Sequence, residues 1–413
     1  MYLVAIKLIE IFARAGFVAG ITYSLGLSAA GQFGLVVTLI GLFALGFGWE
    51  RHIDIQRRMA GEPEPTFDGM VAATVPFWGF NYTLMLPAFL LIAAFMAKLN
   101  ALQLLLAASV VVAEHIANQA YQMSLIDRRY RRLVNLVAIK NLAVLAVALP
   151  DMLFASSRLT LNFVLSAWAI ASVISTVAIV VGWQRIRKDT RPASRLAWRG
   201  HIRGQHRASF THFRIGVVAF LMLQYDRLAV GTFAGLADAG IYFRHVLLIF
   251  FGYQLYTVAS FNRITPAIFR VAKVEPVASL VRRLRREYLV LLSLAVGAAV
   301  ASIALDLALD RAISTKYHLD YLLAAVLLTG TMLRIAADFA GMVVNARLRE
   351  KMLGRAQLIA FACGGMMLAG STWKFGILGA AIANVATSAV YLFLVVRALH
   401  AIPEYPEPGS PKP

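Results

Sequence analysis

Gln32–Trp49 reads QFGLVVTLIGLFALGFGW, eighteen residues without one charged side chain. A helix needs about 20 mainly apolar residues to cross the hydrocarbon core of a bilayer, so this run is long enough to span one. Comparable stretches lie near 3–26, 69–97, 101–126, 133–155, 159–183, 210–231, 239–262, 288–307, 319–345, 356–373 and 376–398. With 32–49 they predict twelve transmembrane helices. The first lacks a charged leading region and a small-residue cleavage site, so it is expected to stay in the protein.

Composition agrees with that count. Of 413 residues 60% are hydrophobic and only 15% charged, with a mean hydropathy of +0.71. Soluble chains carry about 25% charged and about 45–50% apolar residues. No segment between the spans is long enough for a soluble domain, and the single Cys363 excludes a disulfide scaffold. The net charge of +19 is a topology signal rather than a mark of nucleic-acid binding. With the N-terminus placed in the cytoplasm, 28 Lys and Arg fall on cytoplasmic segments and 5 on the opposite side, as the positive-inside rule requires. Both termini are thus expected on the cytoplasmic side of the membrane. The basic stretch within 184–208 divides the chain and reads as a cytoplasmic linker near anionic lipid. The expected organisation is a six-helix lobe over 1–183, the linker, a second six-helix lobe over 209–401, and a proline-rich disordered tail over 402–413. The run Arg282–Arg286 reads as an amphipathic approach to the ninth span, lying on the headgroups.

The halves echo one another. Gly26-Leu27-Ser28-Ala29-Ala30-Gly31-Gln32-Phe33 and Gly235-Leu236-Ala237-Asp238-Ala239-Gly240-Ile241-Tyr242 share the form G-L-x-x-A-G-x-aromatic. Both copies fall between the first two spans of their half. Six spans per half give the copies the same orientation, a parallel repeat about the membrane normal. Transporters built this way hold substrate between the halves and rock one against the other.

The segment LGLSAAGQFGLVVTLIGLFALG (Leu25–Gly46) resembles the first helical hairpin of bacterial O-antigen and polysaccharide flippases. QYDRLAVGTFAGLADAGIYFRHVLL (Gln224–Leu248) is similar to their seventh-to-eighth-helix segment, and FGILGAAIANVATSAVYLFLVV (Phe375–Val396) to their last helix. The resemblance implies the all-α fold of the multidrug/oligosaccharidyl-lipid/polysaccharide exporters: about twelve transmembrane helices in two MATE-like six-helix lobes around a central cavity. It further implies a polyprenyl-pyrophosphate-linked oligosaccharide as substrate, an O-antigen, capsule or exopolysaccharide unit moved to the periplasmic leaflet. The glycan polymerase and glycosyltransferases of such a pathway, and the membrane lipids, are the expected partners.

Seven cations fall inside predicted spans: Lys7, Arg14, Lys140, Arg214, Arg227, Arg244 and Arg334. Intramembrane charges are costly and face a protein interior or a water-filled cavity. A lipid-linked pyrophosphate is an anion, and arginine's planar fork suits phosphate. Arg14, Arg334, Arg244 and Lys140 are therefore the candidate substrate contacts, while Lys7 and Arg214 are expected to snorkel to the interface. Thr331, Arg334, Asp338, Gly341 and Asn345 fall within about 80° on their helix, and Lys7, Glu10 and Arg14 within about 60° on theirs. Each stripe also holds an i,i+4 pair that could neutralise itself, Glu10/Arg14 and Arg334/Asp338. Glu114 and His115, on a polar face with Asn118, Gln119 and Gln122, and Asp226 beside Arg227 are candidates for ion coupling or structural pairing. Pro76 and Pro87 suggest a kinked third span whose freed backbone groups are satisfied by neighbours.

The sequence carries no metal-ligand spacing, no phosphate loop of the form G-x-x-x-x-G-K-[ST] and no catalytic constellation, so neither an enzyme nor a cofactor is expected. Two other readings remain. One is a cation-coupled multidrug exporter of the same fold, and the other a membrane glycan polymerase or ligase, which would usually expose a large periplasmic loop.

Overall fold

The computed structural model describes residues 24–53, 55, 64–126, 131–154, 159–186, 198–249, 271–272, 274–313, 319–347 and 349–404, with positions 6, 9, 10, 12, 13, 16–18, 20, 21, 264 and 268. Among the described residues there is no strand. The helices are α1 (Leu27–Gly48), α2 (Glu64–Met96), α3 (Ala101–Ile126), α4 (Arg131–Phe154), α5 (Leu161–Ile186), α6 (Trp198–Phe233), α7 (Val277–Ile313), α8 (Tyr321–Ala346) and α9 (Glu350–His400). A further helix covers 236–249. Seven helices among the described residues are long and apolar enough to cross a membrane. Eleven of the 24 residues of the predicted span 3–26, and residues 250–262 of the predicted span 239–262, lie outside the described residues. The chain divides into two compact units, Met1–Leu221 and Met222–Pro413.

The lateral surface of the helices is that of a protein solvated by lipid. Leu84, Leu91 and Phe95 on α2 and Ile170 and Ile174 on α5 are all exposed. Such apolar faces are stable only where hydrocarbon, not water, covers them.

In the first unit, Phe17, Phe33 and Trp168 meet edge to face or tilted, with ring centroids 5.9–6.2 Å apart. A second cluster gathers Phe77, Trp78, Met123 and Ile179. Pro76 and Pro87 both sit inside the continuous α2. Gln205 Nε2 donates to the Ala73 carbonyl (3.1 Å), in the turn that Pro76 weakens.

In the second unit the core joins Tyr225, Val230, Tyr242, Leu323, Leu327, Ala380 and Ala383. As a straight rod, α9 would measure about 76 Å, against a hydrocarbon core of about 30 Å. It is not straight: Gly376, at φ 57° and ψ −137°, reverses it. Ser371 Oγ then donates to the Gly379 carbonyl (2.9 Å), and a Cβ on Gly379 would overlap the Ser371 carbonyl. The arms 350–375 and 377–400 are thus antiparallel neighbours. They correspond to the predicted spans 356–373 and 376–398, joined without a loop.

The repeat is visible as local geometry in each unit. Gly26 immediately precedes α1 and accepts from Ala30 N (2.9 Å), while Gly235 precedes the 236–249 helix and accepts from Ala239 N (3.0 Å). Only the second copy needs its glycine for backbone reasons, at φ +101°. The predicted tail is tied at its root, because Ile402 is buried and Glu404 accepts from the start of α7. Residues 405–413, and 187–197 of the predicted linker, lie outside the described residues.

Candidate functional site

In the first unit a cavity of about 260 Å³ is lined by Glu10, Glu50, Glu114, Asn118, Gly41, Ala44 and Leu45, among others. Three acids from three separate stretches of sequence therefore share one water-sized or larger space. Small residues on α1 make the room. Glu114 is already engaged: Lys140 Nζ donates to its Oε1 at 2.6 Å and Trp168 Nε1 donates to the same oxygen at 3.0 Å. Lys140, expected as a substrate cation, is thus buried and held by an acid from α3. The polar face of α3 splits in two. Glu114 and Asn118 turn to the cavity, whereas His115 bonds to the Tyr82 hydroxyl through Nδ1 and to Gln119 Nε2 through its other nitrogen.

Glu50 was not legible as a site residue. It follows the apolar run that becomes α1, and two consecutive left-handed residues, Trp49 (φ 48°) and Glu50 (φ 52°), swing it inward. Trp49 stacks on Phe213 at 4.1 Å and packs edge-on to His206 at 4.5 Å, which fixes the turn against α6. A Cβ on Gly216 would come within 2.9 Å of the Glu50 Cγ, so the acid needs a glycine opposite it. Burial raises the Glu50 carboxyl from 4.5 to about 7. Burial, with His212 adding to it, lowers His52 from 6.5 to about 4.

The second unit is organised around Asp226 on α6. Its Oδ1 accepts from Arg227 N (2.9 Å), and its Oδ2 accepts from the Tyr242 hydroxyl (2.7 Å) and Asn384 Nδ2 (2.8 Å). Asp226 thus accepts from the Arg227 backbone and gathers the 236–249 helix and α9 around α6. Next to it, Tyr225 and Thr387 share a hydroxyl–hydroxyl bond. On α8, Arg334 Nε donates to both Asp338 oxygens at 3.2 Å. Its guanidinium lies 4.8 Å from the Tyr391 ring centroid, and Gln357 Nε2 donates to the Tyr391 hydroxyl (3.3 Å). Of the predicted stripe, Thr331 and Arg334 line a cavity of about 20 Å³ with Asp226, Arg227, Asn384 and Ser388, room for about one water. Gly341 packs beneath Tyr391. Arg244 is buried in the 236–249 helix, and Arg14 and Lys7 lie outside the described residues.

Among the described residues no group of three or more His, Cys, Asp or Glu could hold a metal ion.

No protein-family model matches the chain. No curated protein matches it either. Solved structures do. The lipid II flippase MurJ in an inward closed conformation aligns with a TM-score of 0.66 at 10% identity, over 97% of this chain and 88% of that one. A mutant of the Vibrio cholerae MATE transporter VcmN aligns at 0.58 and 14% identity, over 97% and 95%. An inward-facing multidrug resistance MATE family transporter of the MOP superfamily gives 0.56 and 16%, over 96% and 95%. The chain has the fold these proteins share. That agrees with the all-α, MATE-like architecture expected from the sequence. The likeness extends over nearly the whole chain.

Proposed function

We propose that the chain is a multi-pass transporter that moves a polyprenyl-pyrophosphate-linked oligosaccharide from the cytoplasmic to the periplasmic leaflet of a bacterial inner membrane by alternating access. The supporting observation is Arg334, buried at mid-helix in α8, oriented by Asp338 and lying over Tyr391. A guanidinium oriented in this way is a fixed counter-charge of the shape that phosphate oxygens pair with. Two further arginines, Arg227 and Arg244, are buried in the same unit. The fold shared with a lipid II flippase supports a cargo of this kind. The pathway's glycosyltransferases and glycan polymerase are the partners that would supply and consume such a cargo.

A second reading, a cation-coupled multidrug exporter, is favoured by the Glu10, Glu50 and Glu114 cavity. One experiment separates the two. Purified protein is reconstituted in liposomes with a fluorescent polyprenyl-pyrophosphate oligosaccharide, and flipping is followed by quenching from outside; parallel liposomes receive a cationic dye and a proton gradient. The first reading requires flipping that Arg334→Ala abolishes. Dye export without any flipping would replace it with the second.

A further inference from the structure

At 100° per residue, the buried Val277, Leu280, Leu284 and Leu291 of α7 fall within about 60° of one another. Arg282, Arg283, Arg285 and Arg286 are all exposed and fan over about 160° on the opposite side. Further along, that same outward sector carries Leu289, Val290, Val296 and Val300, between 37% and 60% exposed. The rise from Arg286 to Leu289 is about 4.5 Å, so the face changes from guanidinium to aliphatic within one turn.

The start of the helix is held firmly. Val277 N donates to the Glu404 carbonyl (3.1 Å), Ala278 N to Glu404 Oε1 (3.2 Å), and Arg347 Nη2 to the Glu275 carbonyl (2.5 Å). Arg283 reaches Glu275 at 3.4 Å. Among the described residues no ion pair engages Arg282, Arg285 or Arg286.

We propose that this face of α7 is a docking surface for an anionic phospholipid, its headgroup phosphate on the arginines and its acyl chains along Leu289, Val290, Val296 and Val300. Arginine forks pair with phosphate oxygens, and basic clusters at the end of a membrane helix concentrate anionic lipid. The aliphatic continuation selects a lipid over a free anion, which needs no apolar wall. It also selects a lipid over an acidic protein, because those side chains lie at the depth of the predicted span 288–307. The surface is independent of the cargo and of the cavities described above.

The full-length protein in nanodiscs of phosphatidylcholine doped with phosphatidylglycerol provides the test, with lipids retained after release counted by native mass spectrometry. Phosphatidylglycerol should be retained over phosphatidylcholine on the order of ten-fold. The combined Arg282→Gln, Arg285→Gln and Arg286→Gln variant should lose that preference, the corresponding three lysine substitutions should keep most of it, and Lys351→Gln with Arg355→Gln should leave it unchanged. Arg282→Glu alone, at an exposed position, should lower retention even if the triple variant aggregates. Equal retention of the two lipids, or a preference untouched by these substitutions, overturns the proposal. So does displacement of the lipid by inorganic phosphate at equal concentration, or tighter binding of polyglutamate through the same arginines.

Discussion

Glu50 Oε2 and His52 Nε2 stand 3.3 Å apart just beyond α1, and burial reverses their ordinary protonation: the acid keeps its proton and the base gives its up. An enclosure that penalises both charges favours the neutral pair over the ion pair. The stability Glu50 contributes is full below pH 4.5 and is lost as pH rises through about 7. His52 acts in the other direction, contributing above pH 6.5 and losing that contribution as pH falls through about 4. From about pH 4.5 to 6.5 the two slopes cancel. Thermal unfolding in detergent should show this. Glu50→Gln should become more stable from pH 4 to 6.5, and His52→Asn less stable from pH 4.5 to 7, each by an amount on the order of 3 kcal/mol. If both variants track the wild type across this range, the neutral pair does not exist.

Arg334 and Asp338 decide between cargo contact and self-neutralisation. Arg334→Ala leaves a carboxylate without its guanidinium, a loss of about 3–5 kcal/mol for a buried pair. Arg334→Ala with Asp338→Ala should restore protein level without restoring flipping, and Arg334→Lys should keep part of the activity. Flipping recovered in the double variant at normal expression would make the arginine structural.

Lys140 and Glu114 are expected to behave as one unit. Lys140→Ala should lower the melting temperature sharply, by the same mechanism as above, whereas Lys140→Gln with Glu114→Gln should recover most of it. A double-mutant cycle that shows additive losses would refute the coupling.

The sequence made the fold legible because lipid imposes a simple rule: long apolar runs, with basic residues at their ends. The runs at 356–373 and 376–398 mark two helices even though the chain between them is a single glycine. The sites were harder. Arg334 and Asp338 are four residues apart, so helical periodicity brought them together on paper. Lys140 and Glu114 come from different helices, and periodicity places each on a face without saying what stands opposite. Glu50 was hidden more thoroughly. Its inward course depends on two left-handed residues, neither of them glycine, and on Gly216 far along the chain.

Gly364 should tolerate no side chain. A Cβ there would overlap the Thr387 hydroxyl and press on the Tyr225 hydroxyl. Gly364→Ala should cost about 1–3 kcal/mol by overpacking, and Thr387→Ala in the same chain should return part of that. Equal melting temperatures for Gly364→Ala and the wild type would show that the arms of α9 are not in contact at this point.

Orientation follows from the basic residues. In a chain with Cys363→Ser, the variants Arg199→Cys and Arg285→Cys should resist an impermeant maleimide added to intact cells, and Lys316→Cys should react. Labelling of Arg285→Cys from outside would invert or break the twelve-span topology.

The reversal at Gly376 has a practical outcome for anyone handling the protein. A protease or an antibody needs a connecting segment to grip, and the two arms of α9 share a turn of one residue between Phe375 and Ile377. Epitope tags, cleavage sites and split-protein junctions therefore have no footing in that turn. The final hairpin should survive limited digestion as one fragment, and should enter the bilayer as one.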